Sequence, residues 1–453
     1  MNQQSKAQWI KYAKQSLIDA SVALLLFWAL YAGHRIEFVR SLSGDTAFSY
    51  LNSLVFWDKS TSDKWDTPIV VYKVDEGYLK EANLLDEYGD TNYGHLFPRS
   101  KIAGFIEKVD SQPTQKQPLA FFIDYDMCDG SASYDNNSTV AYISDDDRVL
   151  LKQLAKDRSY PILFAKTSSK NFIESYANHS AEKLAKVLAS KIASHQIIFV
   201  GADFLNSSNT EYRYNPMIKY SNSDSVYYHI ALIGWQLRKN EGAIDIEQIE
   251  DMYDPAIFLD TQSVTKKGAA LFNSNILFKN NITTDDGIFK ESQSRWDNLR
   301  YISALKFLKE KDLDINDDTI VMLGGDYQKG DWHKPAVGDV TSGVMIHAQA
   351  LKTVLFLDGK LGHFSLKWSF VIIFIIFFTV TILVRYFLAK YPEWVKFVLE
   401  LVVLTAVLLG VSSLILLIFH QWFNWFMPII IFYVYDVVII TREYFSDDEP
   451  QNK

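Results

Sequence analysis

The chain has 453 residues, 48% hydrophobic and 22% charged, enough for one large soluble domain and several membrane spans. A formal net charge of -9 lacks the basic stripe a nucleic-acid binder carries, so nucleic acid is excluded as a partner. A single cysteine, Cys128, excludes an intramolecular disulfide and reads as a small buried side chain after a strand.

Leu17 to Ala32 is an apolar segment behind Lys6, Lys11 and Lys14. Bulky residues, not a small-x-small cleavage site, follow it, so it reads as an uncleaved transmembrane helix. Three more apolar stretches lie towards the C-terminus: Leu366 to Val384, Val395 to Phe419 and Phe426 to Ile440. Arg385, Lys390 and Lys396 gather between the second and third spans, and the segment HQWFNW between the third and fourth has no Lys or Arg.

Basic loops stay inside, which predicts a cytoplasmic N-terminus over 1–16 and spans over 17–33, 366–384, 395–419 and 426–440. A cytoplasmic loop then covers 385–394, a periplasmic loop 420–425 and a cytoplasmic tail 441–453. The remaining residues, 34–365, form one extracytoplasmic domain.

That domain alternates strands and helices. Pro68 to Val74, Leu119 to Ile123, Pro161 to Ala165, Ile197 to Val200 and Thr319 to Leu323 are short continuous apolar runs. Such runs suit interior strands covered on both faces. Helical spacing appears over Lys101 to Val109, Asp147 to Ala155, Ala181 to Ser194 and Val344 to Leu357. In the last of these, Val344, Ala348, Leu351 and Leu355 share one face. The stretch from Asn240 to Asp297 reads as polar and irregular. The expected fold class is therefore an α/β domain with a mixed, partly parallel sheet flanked by helices, plus a transmembrane bundle of four helices.

The order of particular pieces is more specific. VVYKVDEGYL, FPRSKIAGFIEKV, AFFIDYDM and YPILFA are followed by EYRYNPMIKYSNSDSVYYHIAL and DTIVMLGGDYQKGDWHKPAVGDVTSGVMIHAQAL, with spans on either side. This pattern resembles the CHASE2 domain, an extracytoplasmic sensory module of bacterial signalling proteins. The resemblance covers Trp65 to Gly359, and Asn240 to Phe272 departs from it as an insertion would. It implies a bacterial inner-membrane sensor with its large domain in the periplasm. Family members commonly carry a cytoplasmic kinase or cyclase, whereas only TREYFSDDEPQNK follows the last span here. The expectation is a subunit that acts through separate partner proteins.

Three strands end in acidic residues. If they are parallel, Asp75, Asp124, Asp126, Asp331 and His333 come to one sheet edge, where open α/β folds bind ligands. They are candidates for holding a small molecule or a cation. The ordinary alternative is that each Asp caps a helix or closes a turn. No hydrolase, metalloprotease, Walker or kinase motif is present, so neither catalysis nor a cofactor nor a metal centre is assigned.

Within the spans, Asp19, Glu400 and Asp436 are ionisable groups that need a partner or water, with Arg385 a candidate counter-charge. The expected partners are the lipid bilayer, other membrane or envelope proteins and further copies of this chain. A scaffold within an envelope assembly, without ligand-driven signalling, is the competing expectation.

Overall fold

The computed structural model describes residues 3–32, 47–57, 59–88, 90–91, 97–125, 127, 143–166, 168, 171–207, 210–220, 225–253, 255, 259, 276–277, 281–286, 289–327, 332–335, 340–363, 365–426, 428–430 and 432–433. Cys128, Asp126, Asp331 and Asp436 lie outside them. The chain divides into two units, one of Met1–Leu51, Ser263–Asn273 and Leu361–Lys453, the other of Asn52–Gln262 and Ser274–Lys360. Two helices come first, α1 (Gln3–Ala32) and α2 (Ala47–Val55), and the division falls within α2.

The larger unit is built on an eight-stranded sheet. Strand β1 (Ile69–Val74) leads through helices α3 (Glu76–Glu81) and α4 (Arg99–Asp110) to β2 (Ala120–Asp124), and helix α5 (Asp145–Leu154) leads to β3 (Ile162–Lys166). Helices α6 (Phe172–His179) and α7 (Lys183–Ala193) then reach β4 (Ile197–Gly201). Two small hairpins follow, β5 (Phe204–Ser207) with β6 (Thr210–Tyr214), and β7 (Met217–Lys219) with β8 (Val226–Tyr228).

After helices α8 (Ile230–Lys239) and α9 (Ile246–Met252), the chain forms β9 (Asn281–Asp286), β10 (Phe289–Ser294) and β11 (Leu299–Ser303). Helix α10 (Ala304–Lys309), β12 (Ile320–Gly325), a short pair β13 (Trp332–His333) and β14 (Thr341–Ser342), and helix α11 (Gly343–Leu357) complete the unit.

Strand order is β4-β3-β2-β12-β1-β11-β10-β9. The first six are parallel, in registers such as Ile69 opposite Ile320 and Ile320 opposite Ala120, and only the β9–β10–β11 edge is antiparallel. Each strand of the parallel set is buried on both faces because helices cover both. Val70, Tyr72, Phe121, Ile123 and Phe164 pack with Ile102, Phe105, Leu150 and Leu188 of α4, α5 and α7 in one core. The opposite face is covered by α8 and α11.

All five apolar runs form strands, and the helices expected over Lys101 to Val109, Asp147 to Ala155, Ala181 to Ser194 and Val344 to Leu357 are present with slightly shifted ends. The stretch from Asn240 to Asp297 is not irregular throughout: it holds α9 and the β9–β10 hairpin. An antiparallel edge tolerates polar sequence such as NITTDD, which an apolar-run criterion misses. Val344, Ala348, Leu351 and Leu355 are fully buried, but so are His347, Gln349, Lys352 and Thr353, so α11 has no solvent face.

The smaller unit contains α1, a short strand β15 (Gly362–His363), helices α12 (Leu366–Phe387) and α13 (Glu393–Phe419), and β16 (Gln421–Trp422) paired in parallel with β15. The segments Lys367–Phe387 and Trp394–Phe419 are, by length and composition, the two helices able to cross a membrane among the described residues. They expose Val371, Ile375, Leu383, Val402, Leu414 and Ile418. Helix α1 packs along α12, with Trp9 and Tyr386 rings 5.4 Å apart. The segment 426–440 runs beyond the described residues after Tyr433.

Two glycines test how tightly this packing is set. A Cβ on Gly324 at the end of β12 would stand 2.5 Å from Val344 Cβ, where neither backbone can yield. A Cβ on Gly104, within α4, would meet nothing within 4 Å. Gly324→Ala is expected to cost about 1–3 kcal/mol in urea unfolding, and Gly104→Ala to add about 0.5–1 kcal/mol. Equal effects of the two would contradict the close approach of α11 to β12.

Candidate functional site

Parallel pairing brings Asp75, Asp124, Lys166, Gly201 and Asp326 to the carboxyl edge of the sheet. They are not equivalent. Asp75 is the N-cap of α3, its carboxylate accepting from the Tyr78 N–H at 2.9 Å. Asp326 pairs with Lys73 at 2.9 Å. Asp75 follows the ordinary alternative of a helix cap, whereas Asp326 is held by an ion pair between neighbouring strands β1 and β12. Lys166 is buried between Glu174 and the Tyr227 hydroxyl, with its ammonium 4.2 Å from the Tyr227 ring centroid.

Asp124 differs. Its largely buried carboxylate lies 3.9 Å from His347 Nε2 on α11. The His347 ring stacks on Phe204 (4.5 Å between centroids) and meets the edge of Phe122 (5.7 Å). His333 in β13 stands edge-on to the same Phe204 at 5.8 Å. Of the edge candidates, the structure thus brings Asp124 and His333 around His347, with Asp75 set apart in its cap and Asp126 and Asp331 outside the described residues.

The hydrogen bonds assign the protons of this cluster. His229 caps α8 and its Nδ1 accepts from the Ala231 N–H at 3.1 Å, so its proton must sit on Nε2. That Nε2 lies 3.2 Å from His347 Nδ1, which therefore accepts. Neutral His347 is left with its proton on Nε2, the nitrogen 3.9 Å from the Asp124 carboxylate and so near it but beyond hydrogen-bond distance. Freeing a lone pair on that nitrogen would require moving the proton to Nδ1, at the cost of the hydrogen bond from His229. The cluster is a hydrogen-bond donor facing a carboxylate.

Burial holds both rings neutral. His229 is driven well below its usual value by desolvation and then by its neighbour His347. His347 is pushed down to about 3, by burial first and by His333 second. Nearby, after β4, burial raises the Asp203 carboxyl to about 6.

The remaining sequence pieces act as pins. In FPR, Phe97 stacks on Tyr125 at 4.6 Å, and Pro98 leaves the start of α4 without a side-chain cap. Asp146 supplies one, accepting from the N–H groups of Arg99 at 2.6 Å and Ser100 at 3.0 Å. On α11, Gln349 accepts from Trp296 Nε1 at 2.7 Å, and the Lys352 ammonium meets the Asp63 carboxylate at 2.7 Å with both side chains fully buried. Desolvation lowers the Lys352 pKa against the pull of Asp63.

The family model of the CHASE2 domain matches residues 22–384. The chain belongs to the CHASE2 family. No curated protein and no solved structure matches it. CHASE2 domains are extracytoplasmic sensory domains, and the match takes in the whole sheet together with residues of α1 and α12.

In the membrane-capable unit of this CHASE2 protein, Arg385 Nε lies 3.7 Å from the buried Glu400 carboxylate. The structure thus brings these two candidates together within one chain. Asp19 falls in α1 with its side chain outside the described set, and Asp436 lies outside the described residues altogether. The residues that sequence reasoning missed are His229 and His347. Their only signal was position: His347 stands in GVMIHAQAL and His229 in YYHIAL, both quoted for the CHASE2 resemblance.

The neutral assignment has a sign that can be measured. His347 has a folded value below its ordinary 6.5, so the unfolded chain takes up the proton first as pH falls. The stability it contributes is full above about pH 6.5 and declines towards acid. The stability gap between wild type and His347→Gln, from urea unfolding, is expected to narrow by about 2 kcal/mol from pH 7.5 to pH 5. A gap independent of pH would sink the assignment.

Proposed function

We propose that this CHASE2 protein is a sensor subunit of the bacterial inner membrane. In this reading it binds a small polar molecule, or a side chain of an envelope protein, at the carboxyl edge of its sheet. The observation that carries this is the Asp124–His347 pair. An N–H donor with a fixed tautomer faces a carboxylate at the edge where open α/β sheets take ligands. A ligand that suits it offers an acceptor to His347 and, beside it, an N–H, O–H or ammonium to Asp124. Amides, amines and polyols meet that description.

The role is binding and transmission rather than catalysis. Four spans, with the N-terminus inside and residues 34–365 in the periplasm, fit the reading. Support comes from α12 and α13, from α1 packed along α12, and from the helical start at Phe426. The Arg385–Glu400 pair lowers the cost of burying a carboxylate between these helices. Further copies of the chain and separate effector proteins would then receive the signal through the spans, as a shift between two populated states.

The test uses the full chain in lipid nanodiscs against a panel of amines, amides, polyols and divalent cations. One class is expected to raise the melting temperature, by about 2.7 kcal/mol of added stability at a hundredfold excess over Kd. Asp124→Asn is expected to abolish the rise while leaving the unliganded transition in place. If no compound moves the transition and the chain is found only in a fixed assembly, the scaffold role replaces the sensor.

A further inference from the structure

The two helices on the α8–α11 face run side by side and are joined at three levels. At their starts, His229 Nε2–H donates to His347 Nδ1. Midway, a Cβ on Gly234 of α8 would lie 2.9 Å from Leu351 Cδ1 of α11, so the two surfaces touch with no room for another side chain. At the end of α11, Trp235, the residue after Gly234, donates from Nε1 to the Asp358 carboxylate at 3.2 Å, and Lys239 at the end of α8, stacked over the Trp235 ring at 4.6 Å, comes within 4.0 Å of the same carboxylate. Lys64 closes the set at 2.8 Å from Asp358.

Asp358 is also the residue that ends α11. It adopts a left-handed conformation (φ 52°), followed by Gly359 at φ 127°, which a side chain would strain. A Cβ on Gly359 would stand 2.6 Å from Met252 Sδ, and the Lys360 ammonium donates to the Met252 carbonyl. The chain therefore leaves this unit through three residues whose direction is set by α8, α9 and α11.

We propose that α8 and α11 move as one body and carry the state of the Asp124–His347 site to the exit segment Asp358–Lys360. His347 is the contact at the site end and Asp358 the contact at the exit end. Two helices tied at start, middle and end transmit a small displacement because packed interfaces shift between discrete arrangements and do not deform gradually. Trp235 and His229 are positioning residues in this device. The proposal rests on the site reading only for where the signal enters, not for what ligand brings it.

Hydrogen exchange on the full chain in nanodiscs tests this without any ligand. Asp124→Asn removes the charge that faces His347 and is expected to change amide exchange across Asp358–Lys360 by about threefold or more. In a Trp235→Phe background, which keeps the ring and loses the donor, the effect of Asp124→Asn on those amides is expected to fall to less than about half. Helix α4, on the other face of the sheet, reports folding and is expected to keep wild-type exchange throughout.

If Asp124→Asn loses protection in α4, His347→Gln, which perturbs the same gap from the other side, is read in its place. Exchange at Asp358–Lys360 that ignores both substitutions overturns the proposal, as does an effect that survives Trp235→Phe undiminished. A failed ligand panel with this coupling intact would remove the proposed ligand and leave the device standing.

Discussion

A helix with no exposed face imposes conditions on everything around it. In α11 every residue but Phe356 is buried, yet the helix carries His347, Gln349, Lys352 and Thr353. A buried polar group left without a partner costs more than its hydrogen bond returns. Four separate parts of the chain must therefore come to this helix. The loop at Asp63 and Thr67 answers Lys352, Trp296 and Tyr301 answer Gln349, Leu277 answers Thr353, and His229 answers His347. The order of the sheet's central strands and the position of α8 are consistent with those demands, and Gly324 is the point where α11 comes closest to the sheet.

From this constraint the site follows. Because His229 spends its Nδ1 on capping α8, the proton pattern of the pair has one neutral solution, and it leaves the His347 proton on Nε2, the nitrogen nearest Asp124. The same two helices end at Asp358, from which the chain continues towards α12. The histidine pair at one end and the chain's continuation towards α12 at the other thus belong to one packed pair.

Much of the sheet was readable from residue patterns because interior parallel strands must be apolar on both faces. PIVVYKV, LAFFI and TIVML announce themselves in that way. Helix α8 did not, since IALIGWQLRK is buried nearly all round and has no polar stripe to mark its period. The β9–β10 hairpin was missed for the opposite reason, a polar edge.

Among the acidic residues after strands, local sequence does not separate Asp75, which caps a helix three residues on, from Asp124, whose neighbour is more than two hundred residues away. His347 and His229 are 118 residues apart, and no local spacing rule joins them.

The central claim is the proton arrangement of that histidine pair, and nitrogen-15 NMR of histidine-labelled protein in nanodiscs reads it directly. The account predicts that at pH 6 both His229 and His347 are neutral with the proton on Nε2, and that zinc leaves the His347 signals unmoved. A charged ring, a proton on His347 Nδ1, or a zinc-induced shift at its Nε2 would contradict it.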